Sequence, residues 1–110
     1  MSWVDVCRLE RITPDRGVAA LVAGEAVAVF RLADGELCAI DHVDPFTGSP
    51  VLARGLVGSA DGCTFVASPL LKQRFDLSTG TCLDDPTRSV QVWPVRVLDG
   101  RVQLAARNNT

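Results

Sequence analysis

Residues 67–76 read ASPLLKQRFD. The run Thr64-Phe65-Val66-Ala67 enters this stretch and Phe75-Asp76-Leu77 leaves it, so extended segments near 64–67 and 73–77 flank a bend at Ser68-Pro69. Proline cannot donate to a sheet ladder, which ends the first segment there. The bend is laid out like a metal-binding loop, yet between Ser68 and Phe75 stands no cysteine, histidine or carboxylate.

Outward from this stretch the same pattern repeats. Runs of valine, leucine and phenylalanine, punctuated by glycine and proline and lacking a period of 3.6, predict further strands near 3–7, 17–22, 25–32, 36–41, 89–93, 94–98 and 101–105. Ala23-Gly24, Ala33-Asp34-Gly35 and Asp99-Gly100 fall between such runs, where glycine's tolerance of positive φ closes a hairpin. Thr13-Pro14-Asp15 could open a turn of helix, but Gly17 ends it. The fold class is all-β. Residues 41–61, with prolines at 45 and 50 and glycines at 48, 55 and 58, read as a long irregular excursion. Loops of that length in a compact domain are usually functional.

The 110 residues form one domain, 1–110, long enough to bury about two-thirds of the surface of the unfolded chain. Eleven basic against 13 acidic side chains leave no basic stripe for a phosphate backbone, so nucleic acid is not an expected partner. No signal-peptide pattern and no membrane-length apolar run is present, and the expected compartment is the cytoplasm. Cys7, Cys38, Cys63 and Cys82 are too widely spaced for a zinc knuckle or redox dithiol; they read as small buried hydrophobes without a disulfide.

Candidate chemistry is sparse. His42, the single histidine, sits in Asp41-His42-Val43-Asp44 with no evident nucleophile or converging ligands, and a loop hydrogen-bonding role is favoured over a titrating one. There is no phosphate-binding glycine loop and no nucleophile elbow. Ser68 lacks a triad context. Asp84-Asp85-Pro86 has no alternating oxygens with a glycine bend and reads as a solvated turn rather than a cation site. Arg54, Lys72 and Arg74 read as exposed charges that together could rim a surface for an acidic partner.

Two loops together resemble the cluster-binding half of a Rieske domain. That family carries C-x-H-x-G in one loop and C-P-x-H-G-x-x-F-D in the other, each supplying a cysteine and a histidine to a two-iron, two-sulfur cluster. Asp44-Pro45-Phe46-Thr47-Gly48 aligns with the first, and Ser68 to Asp76 with the second. Gly48, Pro69, Phe75 and Asp76 match, as do the Leu77-Ser78-Thr79-Gly80 turn and Pro86. Every ligand position departs: Asp44 and Ser68 replace the cysteines, Phe46 and Leu71 the histidines. A phenyl ring and an isobutyl group have no lone pair to give, so no metal site and no cofactor is expected in this chain. Phe46 and Leu71 are expected instead to pack across the gap between the loops.

Among cluster-less Rieske-like chains, the likeness is to the small-subunit family of cytoplasmic NAD(P)H-dependent nitrite reductases. It rests on Asp44-Pro45-Phe46, on Ser68-Pro69-Leu70 with Lys72-Gln73-Arg74-Phe75, and on Cys82-Leu83-Asp84-Asp85-Pro86. The resemblance implies a non-catalytic subunit supporting reduction of nitrite to ammonium. Its expected partner is a large subunit that holds FAD, sirohaem and an iron-sulfur cluster. Phe46, Leu70, Lys72 and Arg74 are the expected partner surface. Two other readings remain open: a free-standing Rieske-like interaction module with an unrelated partner, and a Rieske-type ferredoxin electron carrier.

Overall fold

The computed structural model describes residues 2–106. Nine strands order as β1 (Ser2–Arg8), β2 (Arg16–Val22), β3 (Glu25–Arg31), β4 (Leu37–Asp41), β5 (Leu56–Ala60), β6 (Cys63–Ala67), β7 (Arg74–Asp76), β8 (Val95–Leu98) and β9 (Arg101–Ala106). They form three antiparallel sheets, β1-β9-β8, β2-β3-β4 and β5-β6-β7. The only helical pieces among the described residues are short 3-10 turns at Leu9–Arg11 and Leu52–Arg54, neither of a length to cross a membrane. Thr13 to Asp15 forms a bend, with Arg16 N–H donating to the Thr13 carbonyl at 3.0 Å.

The continuous apolar run of β3 explains how the sheets stack. Val27, Ala28, Val29 and Phe30 are all fully buried, which a strand achieves only when both of its faces are covered. Val27 and Val29 join Ala39, Trp93, Val102 and Leu104 in a core shared with the β1-β9-β8 sheet. Ala28 and Phe30 turn the other way, into a core with Ile40, Leu52, Val66, Phe75 and Leu77 beneath β5-β6-β7. The second core is the platform under the loops.

Two expectations fail on particular residues. Residues 56–60, placed in the irregular excursion, are β5, paired from Leu56↔Ala67 to Ala60↔Cys63 through the turn Asp61-Gly62. Gly58 disguised it. Glycine weakens a strand, but a Cβ here would lie 2.8 Å from the Phe65 ring, so the position must stay bare for that ring to pack. Residues 89–93 are not one strand; Ser89 bridges to Thr81 and Val92 to Ile40, so the segment crosses from the turn under the loops to the central sheet.

Candidate functional site

The two loops emerge side by side above the core that contains Phe75. In the first, the Asp44 main chain closes its own bend, receiving Gly48 N–H at 2.7 Å and donating to the Ser49 carbonyl at 2.8 Å. Its side chain, fully buried, accepts Phe46 N–H at 2.8 Å through Oδ1. In the second, Ser68 donates N–H to the Gln73 carbonyl at 2.8 Å and accepts Lys72 N–H at 3.1 Å. Lys72 takes φ +67, a left-handed conformation open to glycine at no cost and unfavourable for lysine. The C-P-x-H-G pattern has its glycine at this place.

What joins the loops differs from expectation. Ser68 Oγ donates to Asp44 Oδ2 at 2.6 Å, and both residues are fully buried. Phe46 and Leu71 do not form the tie. The Phe46 ring turns onto Phe75, with centroids 6.2 Å apart and planes at 52°, while Leu71 is 55% exposed. The cause is local: the bond from Phe46 N–H to Asp44 fixes the backbone over the core, and Arg88 covers the ring with its guanidinium 5.3 Å from the centroid.

The other candidates resolve as follows. Leu70 is 48% exposed, and Lys72 stands on the surface. Arg74 is committed within the chain: its Nη2 lies 2.7 Å from Asp84 Oδ1, and its guanidinium sits 5.5 Å from the Phe65 centroid. Asp84 is thus an ion-pair partner as well as part of a turn. Sequence reasoning missed Leu56, 66% exposed, whose cross-strand partner Ala67 leads directly into the second loop. Val43, 40% exposed, was missed beside the first loop. The signal for both was a bulky apolar residue in a stretch read as irregular.

His42 is a buried hinge pin for the first loop. Its carbonyl accepts Val51 and Leu52 N–H, and its Nδ1 accepts Ala53 N–H at 3.1 Å, capping the 3-10 turn at Leu52–Arg54. Only an unprotonated Nδ1 can do this. Burial, then the positive charge of Arg54, lowers the imidazole pKa below its ordinary 6.5. An unfolded chain therefore takes up this proton near pH 6.5 while the folded chain does not, so the His42 contribution is complete above pH 6.5 and declines as pH falls below it. Asp76, Asp84 and Asp85 have pKa values lowered from 3.8 and act in a separate, more acidic window. The urea midpoint is expected to fall between about pH 7 and pH 5 in the native chain and to stay flat in His42→Asn; parallel curves would assign the slope to other groups.

The four thiols are free, with Cys38 and Cys82 buried and Cys7 and Cys63 half-buried. Burial and the Glu36 carboxylate raise the Cys38 pKa to about 11. Its thiol remains protonated, as a buried apolar side chain should.

Residues 2–105 match the Rieske-like [2Fe-2S] domain family model. The Escherichia coli K12 nitrite reductase (NADH) small subunit is 48% identical over 104 residues, which cover 94% of this chain and 96% of that one. A Mycobacterium tuberculosis crystal structure described as an NADH-dependent nitrite reductase small subunit superposes with a TM-score of 0.94 at 47% identity, covering 97% of this chain and 96% of that chain. This chain belongs to the Rieske-like family, among its nitrite reductase small subunits. A third relative is the Klebsiella oxytoca nitrite reductase [NAD(P)H] large subunit, 38% identical over 110 residues, which cover 96% of this chain and 11% of that protein.

Cluster chemistry does not fit the loops of this Rieske-like chain. Iron in such a cluster takes thiolate and imidazole donors. The side chains gathered here are a carboxylate already accepting two hydrogen bonds, a hydroxyl donating one of them, a phenyl ring packed on Phe75, and an exposed isobutyl group. The nearest imidazole, His42, has its Nδ1 occupied by Ala53 N–H. Among the described residues no group of three or more histidine, cysteine, aspartate or glutamate side chains is placed to hold a metal ion.

Proposed function

We propose that this chain is the non-catalytic small subunit of a cytoplasmic NAD(P)H-dependent nitrite reductase, docking through its two loops on the large subunit that reduces nitrite. The observation that carries this reading is the Klebsiella oxytoca relative, where a segment like this chain is part of the large subunit polypeptide itself. A domain that can be covalently joined to another works at short range from it, and a separate chain must replace the linker with an interface. FAD, sirohaem and an iron-sulfur cluster then belong to the large subunit. The positions Asp44, Phe46, Ser68 and Leu71 are those of the family's cluster ligands, converted from metal binding to loop bracing and surface contact.

Exposure supports the loops as the docking surface. Leu70 and Leu71 stand out from the second loop with Lys72 beside them, and Leu56 extends the apolar area along the neighbouring strand. Phe46 contributes from beneath, through its place on Phe75, and Arg74 braces the loop base through Asp84. Central apolar anchors surrounded by charge carry most interface energy. Leu71→Asp and Leu70→Asp are expected to leave the urea midpoint nearly unchanged, within about 0.5 kcal/mol, because both side chains are exposed. Each is expected to weaken co-purification with the large subunit by about tenfold or more, the loss of one anchor. Full retention of the complex by both variants would overturn docking through the loops.

A further inference from the structure

β1 and β2 are edge strands of different sheets, and a groove of about 570 Å³ separates them. Val6, Cys7 and Arg8 line one wall, Val18 and Ala19 the other, with Arg11 and Arg101 completing it. Successive side chains of a strand point to opposite faces. Consecutive residues on both walls therefore mean that the groove runs along strand edges rather than between sheet faces. A bulge between Asp5 and Cys7 shifts the β1 register at this point.

The backbone of β2 is open on this side. A two-residue turn pairs Val22 with Glu25, so Val22, Ala20 and Val18 exchange hydrogen bonds with β3, and the N–H and C=O groups of Ala19 and Leu21 point to the free edge. Among the described residues no other main-chain hydrogen bond reaches either. Free edges are normally blunted by lysine, proline or a bulge, and Ala19-Ala20-Leu21 has none of these; Leu21 is 74% exposed. Positive charge gathers opposite. Arg8 and Arg101 hold Glu10 and Asp5 in exposed pairs at 2.9 and 3.2 Å, the kind that exchange readily for another carboxylate, and Arg11 has no carboxylate partner among the described residues.

We propose that this groove takes an extended acidic segment of a protein partner, which adds as a strand to the free edge of β2 and directs its carboxylates to Arg8, Arg11 and Arg101. Backbone pairing supplies the register, Leu21 the apolar contact, and the arginines the choice of partner. This surface is separate from the two loops and stands or falls independently of docking there.

The test uses the full chain and two synthetic octapeptides, one alternating glutamate with valine, the other lysine with valine. The acidic peptide is expected to bind and to slow amide exchange at Ala19 and Leu21 by about tenfold, the mark of newly paired edge amides. Ala19→Pro removes an N–H that makes no bond in the free chain, so it should fold normally and lose binding. Leu21→Ser, which removes the apolar contact without altering the backbone or the charge of the groove, provides a second edge test, and Arg11→Glu should weaken binding by about fivefold through charge reversal. Leu71→Asp should leave peptide binding unchanged. The proposal is overturned by failure to bind at millimolar peptide, by equal binding of the lysine peptide, or by binding that survives both edge variants. It is also overturned if sedimentation shows a dimer that Leu21→Ser abolishes, since the occupant is then a second copy.

Discussion

Gly80→Ala is expected to destabilise the chain by about 3 kcal/mol, combining a left-handed backbone that L-residues resist with overpacking against atoms that cannot retreat. Gly80 has φ +80, and an added Cβ would lie 2.0 Å from the Val90 carbonyl oxygen. That contact cannot open freely, because Val90 N–H donates to the Gly80 carbonyl at 2.8 Å and holds the two backbones together. Gly24 supplies the control. It also has positive φ, +82, but nothing within 4 Å of an added Cβ, so Gly24→Ala should cost only the conformational part, about 1 kcal/mol. Urea denaturation of both variants separates the two contributions; equal losses would mean that the Val90 contact relaxes.

The effect should reach the loops, because Gly80 ends the turn that supports the second one. Asp76 Oδ1 accepts Ser78 N–H at 2.8 Å and Ser78 Oγ–H at 2.7 Å, and the turn returns the chain so that Cys82 bridges Phe75. Burial alone would raise the Asp76 pKa, but the hydrogen bonds from Ser78, Cys63 and Thr79 outweigh it and bring it below 3.8. The turn is thus stable above about pH 4 and loosens only in acid.

Local chemistry was readable where it acts alone. Ala23-Gly24 and Asp99-Gly100 each place two successive residues at positive φ, and their neighbours pair as two-residue hairpins because that turn matches the right-handed twist of the flanking strands. The run at Val27 to Phe30 announced a strand, and the structure adds why it never alternates: both faces are covered. Failures came where a distant residue decides. Gly58 looks like a strand breaker until Phe65 is set against it, and Asp61-Gly62 reads as a hairpin turn only when the strand before it is already known. At the site, spacing located the two loops but could not orient their side chains. Phe46 turns inward because Phe75 and Arg88, far along the chain, offer it a ring and a cation, and Leu71 is left in solvent.

The bond between Ser68 and Asp44 is the one long-range polar tie between the loops among the described residues' side-chain bonds, and its loss is expected to be the second large effect. Ser68→Ala leaves Asp44 Oδ2 buried without its donor, which costs about 1–3 kcal/mol. Asp44→Ala removes in addition the acceptor of Phe46 N–H, strands a buried hydroxyl, and should cost about 3 kcal/mol or more. The double variant should cost less than the sum, because each single change already breaks the shared bond, and the shortfall measures the coupling. Additive losses would show that the two loops are held independently. Amide exchange distinguishes bracing from mere stability: with the tie cut, Phe46 and Leu70, whose N–H groups bond to Asp44 and Ser68 side chains, should exchange faster while β3 stays protected. A loosened second loop presents Leu70 and Leu71 with more conformational freedom, so the large subunit must order it on binding and its affinity should fall in Ser68→Ala even though the exposed leucines are untouched. Undiminished affinity in that variant would confine the tie to folding and leave it no part in recognition.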